Sequence, residues 1–215
     1  MEFQEKCLIC LTGLSGSGKT TAKKIFESFG VKTFYTKDFH HLMNQNLYTD
    51  KMSGTLFSTE KAGFIKKIIE NIRCYSIPND LILLDSIRST DELNYLKSLN
   101  FKSVTLVKTH TQEKERLQRL ISRDNCSLSD IEKRDDIDSG KNPIYGFNIF
   151  EVFKFSDYLL DMTKPLSEVY HQISSIIVSV KGLSQNRHLI SFSSEEASRP
   201  SQATPASFFI SLKQR

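Results

Sequence analysis

Dense apolar runs alternate with segments of helical periodicity along the first 180 residues of this chain of 215. Apolar runs without regular alternation are typical of strands that are buried on both faces of a parallel sheet. Such runs predict five strands, at residues 7–12, 31–35, 81–84, 103–107 and 158–160. Apolar residues at helical spacing predict five helices, at residues 19–29, 58–74, 91–99, 113–123 and 165–180.

This order of elements predicts an α/β protein with a three-layer fold, in which helices cover both faces of a five-stranded parallel sheet. Ligands of such sheets bind beyond the carboxyl ends of the strands. The polar residues that directly follow the predicted strands are therefore the first candidates for a functional site.

The chain changes character after about residue 180. Residues 181–215 are rich in serine, contain Pro200 and Pro205, and show no periodicity before the apolar residues 208–210. This composition predicts a flexible C-terminal extension after a single domain at residues 1–180. The apolar residues near its end are candidates for a contact with the domain or with a protein partner.

Charge and hydropathy exclude some classes of function. The formal charge is +4, and residues 181–215 contribute +3 of it, which leaves a nearly neutral domain without the basic surface typical of nucleic-acid binding. The chain contains no apolar run of about 18 residues, so we expect no membrane span. Residues 1–6 carry mixed charge and do not resemble a signal peptide, so a cytoplasmic location is expected.

Cys7 and Cys10 form a C-x-x-C pair inside the first predicted strand. Residues three apart in a strand point to opposite faces of the sheet, and no second pair follows along the chain. We therefore expect two small core residues rather than a zinc or redox site.

The strongest functional signal is the sequence Gly-Leu-Ser-Gly-Ser-Gly-Lys-Thr at residues 13–20, which matches the phosphate-loop pattern G-x-x-x-x-G-K-[ST] at every fixed position. The loop lies between a predicted strand and a predicted helix, as a phosphate cradle requires. The lysine would contact the β- and γ-phosphates and the threonine hydroxyl would bind Mg²⁺, so we expect ATP or GTP with Mg²⁺ as cofactor. The predicted nucleotide-binding residues are Gly13, Ser15, Gly16, Ser17, Gly18, Lys19, Thr20 and Thr21.

Asp85 and Arg88 directly follow the third predicted strand. At the carboxyl end of that strand, Asp85 could bind Mg²⁺ through water, and the guanidinium of Arg88 suits an acceptor phosphate. The alternative is an internal ion pair between these two side chains.

Asp38 follows the second predicted strand and could orient the acceptor in the catalytic step. The alternative is an N-cap for a helix that begins at Phe39. For the adjacent His40 and His41, we expect solvent exposure or packing rather than metal binding.

Arg116, Arg119 and Arg123 are spaced so that they lie near one face of a predicted helix. Without acidic partners, these like charges predict a lid that closes over phosphates at about residues 113–149. In it, Arg116 would bind the acceptor, whereas Arg119 and Arg123 would act on the transferred phosphoryl group. Arg134 is a further candidate, with residues 140–146 as the returning loop, and a solvated basic helix is the alternative.

These motifs together resemble the adenylate-kinase-like group of P-loop small-molecule kinases, especially its dephospho-CoA-kinase-like and deoxynucleoside monophosphate kinase members. The resemblance extends over about residues 7–180. It implies a kinase that transfers the γ-phosphoryl of ATP to a phosphorylated small molecule, with a (deoxy)nucleoside monophosphate as the first candidate. Besides the phosphate loop, it is carried by residues 84–96, where Asp85 and Arg88 are followed by the acidic start of a helix, and by residues 116–123, 133–135 (Lys-Arg-Asp) and 156–160 (Ser-Asp-Tyr-Leu-Leu).

Two other functions are consistent with the phosphate loop. A nucleotide-binding regulatory or interaction protein would use lid closure as a switch without turnover. A polynucleotide 5′-kinase would also carry the loop, but the nearly neutral domain does not favour a nucleic-acid partner. Transfer of phosphate to one small acceptor would separate the first hypothesis from both alternatives.

Overall fold

The computed structural model describes residues 3, 5–36, 38–39, 62–74, 79–141 and 146–182. The strands in these residues are β1 (Cys7–Thr12), β2 (Lys32–Phe34), β3 (Leu81–Leu84), β4 (Ser103–His110) and β5 (Tyr158–Asp161). The helices there are α1 (Lys19–Ser28), α2 (Gly63–Arg73), α3 (Thr90–Ser98), α4 (Glu113–Asp124), α5 (Leu128–Ser139), α6 (Ile149–Phe153) and α7 (Leu166–Val180).

The five strands form one sheet in the order β2-β3-β1-β4-β5, and every neighbouring pair is parallel. β1 lies at the centre, and all six of its residues are buried. The predicted fold class, a three-layer α/β fold with a five-stranded parallel sheet, is confirmed.

The two faces of the sheet carry separate hydrophobic cores. On one face, α2 and α3 pack against Leu8 and Cys10 of β1. On the other face, α1 and α7 pack against Cys7, Ile9 and Leu11. Alternate residues of the central strand thus contribute to opposite layers. The prediction that the thiols of Cys7 and Cys10 point to opposite faces is confirmed.

Helix α2 begins later than its sequence predicts. Ala62, which precedes the helix, has φ 58°, a left-handed conformation that cannot continue an α-helix. The predicted start at Ser58 or Thr59 is therefore wrong, and both residues lie outside the described ranges. Serine and threonine are preferred at N-caps whose own backbone is extended, whereas the N-cap of α2 is the left-handed Ala62.

Helix α5 lies in the segment 113–149 that the sequence predicted only as a lid, and α6 begins at the last residue of that segment. α5 begins with a capping box, in which Ser127 and Asp130 each accept a hydrogen bond from the other's backbone N–H, and it ends at the left-handed Gly140. The pattern S-x-x-D followed by a glycine ten residues later is a helix signal that was present in the sequence.

The last described helix ends at Val180, and the compact unit extends to Gly182. The predicted extension at residues 181–215 lies outside the described residues from residue 183 onward, so the predicted boundary near residue 180 stays a prediction. Within the described part of the chain, no helix combines the length and the apolar composition needed to cross a membrane.

Two left-handed glycines provide a matched test of the packing around α5. Gly30 has φ +77°, and no neighbouring atom lies within 4 Å of the position that a methyl group would take there, whereas a methyl on Gly140 would collide with the carbonyl oxygen of Phe147. We expect Gly30→Ala to lower the free energy of unfolding by about 1 kcal/mol through backbone conformation alone. Gly140→Ala should cost about 3 kcal/mol or more because it adds the collision. Urea unfolding measures both, and equal losses would contradict this packing.

Candidate active site

The loop between β1 and α1 has a shape that requires glycine. Gly16 has φ +78°, and a methyl there would press on Leu120 and on the backbone of Arg116. Gly18, the N-cap of α1, has φ +96°, and a methyl there would press on Met162. The loop is therefore enclosed by α4 on one side and by the turn after β5 on the other.

Lys19 folds back onto this loop. Its ammonium Nζ donates hydrogen bonds to the carbonyl oxygens of Gly13, at 2.6 Å, and Leu14, at 3.0 Å. Burial lowers the pKa of Lys19 to about 8, and the nearby positive charge of Arg88 contributes to the shift. A cation held in this way at the entrance of a helix is suited to bind a polyphosphate.

Two threonines, one at the end of β4 and one just after this strand, form hydrogen bonds with the loop. The hydroxyl of Thr109 lies 2.7 Å from Ser17 Oγ and also donates to the carbonyl oxygen of Thr12, at 3.2 Å. The Thr111 hydroxyl donates to the carbonyl oxygen of Ser17, at 3.1 Å. This buried network was not predicted, and its signal in the sequence is the change from apolar to polar residues at the carboxyl end of β4.

Asp85, at the end of β3, is buried with 1% of its surface exposed. Its Oδ1 accepts a hydrogen bond from the backbone N–H of Thr36, at 2.9 Å, whereas its buried Oδ2 has no hydrogen-bond partner among the residues described. Burial raises the pKa of Asp85, which its hydrogen bond with Thr36 and the charge of Lys19 oppose. A buried carboxylate oxygen in this state fits a cation or the water bound to it. Together with the Thr20 hydroxyl, it is the candidate Mg²⁺ site.

Arg88 presents its guanidinium to the same region. The group lies over the ring of Phe147, 5.1 Å from the ring centre, and its Nη1 is 3.7 Å from Oδ1 of Asp138. Its close carboxylate is thus Asp138, and not Asp85 as the alternative interpretation assumed. No side-chain hydrogen bond joins the guanidinium to any described residue, so its donors are available to an anion.

A cavity of about 840 Å³ brings most of the predicted residues together. One wall is the phosphate loop, and the others contain the predicted acceptor and lid residues with apolar side chains between them. The predicted site residues that line it are Ser15, Gly16, Gly18, Lys19, Thr20, Thr21, Arg88, Arg119 and Arg123. Of the other predicted residues, Gly13 and Ser17 shape the loop from within, and Asp85 lies buried beside Thr36.

The three arginines of α4 differ in their surroundings, although they share a helical face. Arg116 is buried, forms a two-bond ion pair with Asp135 at 2.6 and 3.1 Å, and donates to the carbonyl oxygen of Ser15. Arg116 thus contacts the loop through Ser15, and it is not among the residues that line the cavity. Its predicted contact with the acceptor has no support in this position.

Arg119 and Arg123 line the cavity, but both are also paired. Arg119 donates to Glu115 at 2.6 Å and to the carbonyl oxygen of Met162, and Arg123 donates to Asp124 at 2.6 Å. The expectation that these like charges lack acidic partners is therefore wrong. Acidic residues of the same helix and of α5 compensate them, which the positions of the arginines alone did not reveal.

The remaining predicted residues lie apart from the cavity or outside the described residues. Asp38 is exposed, its backbone N–H donates to the carbonyl oxygen of Tyr35, and its side chain is not part of the cavity wall. Arg134 is exposed and pairs with Asp124 at 3.0 Å. His40, His41 and residues 142–145 of the predicted returning loop lie outside the described ranges.

Two carboxylates near Arg88 were missed. Glu92 lines the cavity and accepts hydrogen bonds from the backbone N–H groups of Arg88, at 2.7 Å, and Ser89, at 3.0 Å. The capping-box pattern S-x-x-E at residues 89–92 would have revealed it. Asp138 lies seven residues after the buried Ile131 in α5, so an acidic residue at a core-facing position was its signal.

No protein-family model and no curated protein matches this chain. Among solved structures it is similar to TT1252 from Thermus thermophilus, with a TM-score of 0.54 and 15% identity over 81% of this chain and 97% of that one. It is similar to a gluconokinase from Sinorhizobium meliloti 1021, with a TM-score of 0.54 and 15% identity over 87% of this chain and 100% of that one. A dephospho-CoA kinase from Campylobacter jejuni matches with a TM-score of 0.45 and 16% identity over 82% of this chain and 98% of that one.

The buried Glu92 makes a pH-dependent prediction. Burial raises its pKa from the ordinary 4.5 to about 7, so the folded protein holds this proton more tightly than the unfolded chain does. This group therefore makes stability fall as pH rises from about 4.5 to 7, by about 3 kcal/mol in total. Glu92→Gln removes the titration, so wild type should lose about that much stability relative to the variant between pH 4.5 and 7.5 in urea unfolding. The exposed neighbour variant Asp91→Asn is the control, and parallel pH profiles of wild type and Glu92→Gln would contradict the assignment.

The likeness to the gluconokinase, together with the phosphate loop between β1 and α1, shows that the chain has the fold of small P-loop kinases.

Proposed function

We propose that the protein is an ATP-dependent kinase that transfers the γ-phosphoryl group to an anionic small molecule. The observation that carries this proposal is that one cavity joins the phosphate loop with Lys19 to the hydrogen-bond donors of Arg88. A phosphate donor and an anionic acceptor would thus meet in the same enclosure. A (deoxy)nucleoside monophosphate is the acceptor that the sequence resemblance implies.

The donor side of the cavity is suited to a nucleoside triphosphate. Backbone N–H groups of the loop and the N-terminal end of α1 face its phosphates, and Lys19 would exchange its two carbonyl acceptors for phosphate oxygens. Arg119, Arg123 and Lys164 add positive charge. The apolar side chains of Met162, Leu166 and Val169 in the same wall provide a surface for the nucleoside.

Thr20 and Asp85 are the residues that would hold Mg²⁺. The ion, when bound, offsets the charge of the phosphates and of the group in transfer. The protein contributes the Thr20 hydroxyl and the unpaired Oδ2 of Asp85, whose orientation is fixed through Oδ1. Lys19 and Arg88 both line the cavity in which the phosphoryl group would move.

A second candidate function is nucleotide binding without turnover. Asp38, the carboxylate predicted to orient the acceptor, is exposed and absent from the cavity wall. Arg119 and Arg123 would also have to leave Glu115 and Asp124 before acting on a phosphoryl group. A regulatory protein with these features would bind ATP and release no ADP when an acceptor is added.

The proposed function is tested by screening acceptors for ADP release from Mg²⁺·ATP. The panel contains the ribo- and deoxyribonucleoside monophosphates, gluconate because a gluconokinase is a structural neighbour, and dephospho-CoA because the sequence resemblance includes dephospho-CoA-kinase-like proteins. A phosphorylated product with one acceptor would support the kinase and identify its substrate. ATP binding without any product would favour the regulatory alternative, and absence of ATP binding would contradict both.

The first variant is Lys19→Ala. Because Lys19 would contact the phosphates that carry the developing charge, we expect phosphoryl transfer to fall by about 10²- to 10³-fold, with an unchanged fold by circular dichroism. The matched control is Lys24→Ala, an exposed lysine of the same helix α1. Wild-type turnover of Lys19→Ala, or an equal loss in Lys24→Ala, would remove the assignment of the phosphate site.

The second variant pair is Arg88→Ala and Arg88→Lys. If the planar guanidinium binds the anionic group of the acceptor through two donors, lysine should restore little of the loss. We expect the KM of the acceptor to rise about tenfold or more in both variants, while the KM of ATP changes less.

The control for this pair is Arg73→Ala, which removes an exposed arginine that lies over the ring of Phe3 at 5.7 Å. Equal changes in both KM values, or full recovery with lysine, would indicate that Arg88 is structural and is held for its contacts with Asp138 and Phe147.

A further inference from the structure

Two consecutive residues at the end of β2 contact both candidate Mg²⁺ ligands. The backbone N–H of Thr36 donates to Oδ1 of Asp85 at 2.9 Å, and the Thr36 hydroxyl lies 3.4 Å from the same oxygen. The hydroxyl of the preceding residue, Tyr35, lies 3.1 Å from Oγ1 of Thr20. Neither contact was predicted from the sequence.

The contact with Thr36 fixes the orientation of the Asp85 carboxylate. Both donors of Thr36 meet the same oxygen, Oδ1, in a place where Thr36 and Asp85 are buried. The other oxygen, Oδ2, is thereby left without a hydrogen bond to any described residue although it is out of contact with solvent. A buried unpaired acceptor is costly unless something else binds it, so this orientation serves a ligand of that oxygen.

The contact with Tyr35 fixes the orientation of the Thr20 hydroxyl. A threonine hydroxyl can bond to the backbone carbonyl three or four residues before it, which for Thr20 lies in the loop, and such a bond would remove the hydroxyl from a metal. The Tyr35 hydroxyl holds Oγ1 of Thr20 toward the end of β2 instead. The Tyr35 ring is itself held from α1, because Nζ of Lys23 lies 4.4 Å from the ring centre. Tyr35 lines the cavity next to these groups.

We infer that Tyr35 and Thr36 are positioning residues of the metal site, and that the Tyr35 hydroxyl prepares Thr20 to bind Mg²⁺ with the nucleotide. This inference rests on the proposed function, since it takes the loop to bind a nucleotide. Because the two residues are adjacent in the chain, one short segment orients both protein oxygens of the site. The strand end then acts as a common support for groups that come from α1 and from β3.

The test is Tyr35→Phe, which removes only the hydroxyl and keeps the ring over which Lys23 lies. The affinity for ADP is measured by calorimetry with Mg²⁺ and again with EDTA. In the variant, the affinity in EDTA should equal that of wild type, whereas the gain in affinity from Mg²⁺ should shrink about fivefold, as expected for one neutral hydrogen bond. Tyr158→Phe, a partly buried tyrosine of β5 in the core away from the loop, is the control and should keep the full gain.

A double-mutant cycle separates positioning from a direct contact with the nucleotide. Thr20→Val should remove most of the Mg²⁺-dependent gain, and Tyr35→Phe added to it should have no further effect, because the hydroxyl acts through Thr20. A full Mg²⁺ gain in Tyr35→Phe, an equal loss with and without Mg²⁺, or additive effects in the cycle would each overturn the inference and leave the kinase proposal intact. A wild-type protein that binds no nucleotide would contradict the proposed function and this inference with it.

Discussion

The site depends on close contact between the backbone of the phosphate loop and three other parts of the chain. At Gly13 a side chain would collide with Thr109, at Gly16 with α4, and at Gly18 with Met162. Where the backbone itself fills the space that side chains normally take, its N–H groups can converge on a small region. The buried hydrogen bonds of Ser17 with Thr109 and Thr111 then fix the loop on the sheet. This contact determines the positions of Lys19, of the candidate metal site and of the cavity.

The positively charged side chains at the cavity lie beside negatively charged ones. The pKa of Lys19 is lowered by burial and by Arg88, and the carboxylates of Asp138 and Asp85 oppose that shift. Arg88 lies between Glu92, which binds its backbone, and Asp138, which faces its guanidinium. These carboxylates let the cations lie close to one another in the absence of a ligand. Fixed charges around a cavity are the kind of group that stabilises the charge developing in phosphoryl transfer.

The local part of this architecture was predictable from the sequence and the long-range part was not. The phosphate loop, the strands and the end of β3 are coded by neighbouring residues, so the fold could be predicted, and Lys19 and Arg88 could be named as candidates for the site. The limit of sequence-based prediction is visible in Arg116, Arg119 and Arg123. Helical spacing predicts the face of the helix on which a side chain lies, but it does not predict which groups that side chain contacts. Arg116 meets Ser15 and Asp135, while its neighbours on the same face meet the cavity. The contact of Asp138 with Arg88 likewise joins residues that lie far apart in the chain.

The contact between Gly18 and Met162 has a consequence for how the site comes into being. The loop is encoded near the start of the chain, but one of its walls follows β5, the last strand of the sheet. Loop closure over such a separation occurs late in folding, because its entropic cost must be met before the contacts form. During synthesis, Met162 can therefore reach the loop only after β5 has left the ribosome. An incomplete chain would expose the phosphate loop without its enclosing wall, and any ligand of the complete cavity would favour the finished domain over its partly folded forms.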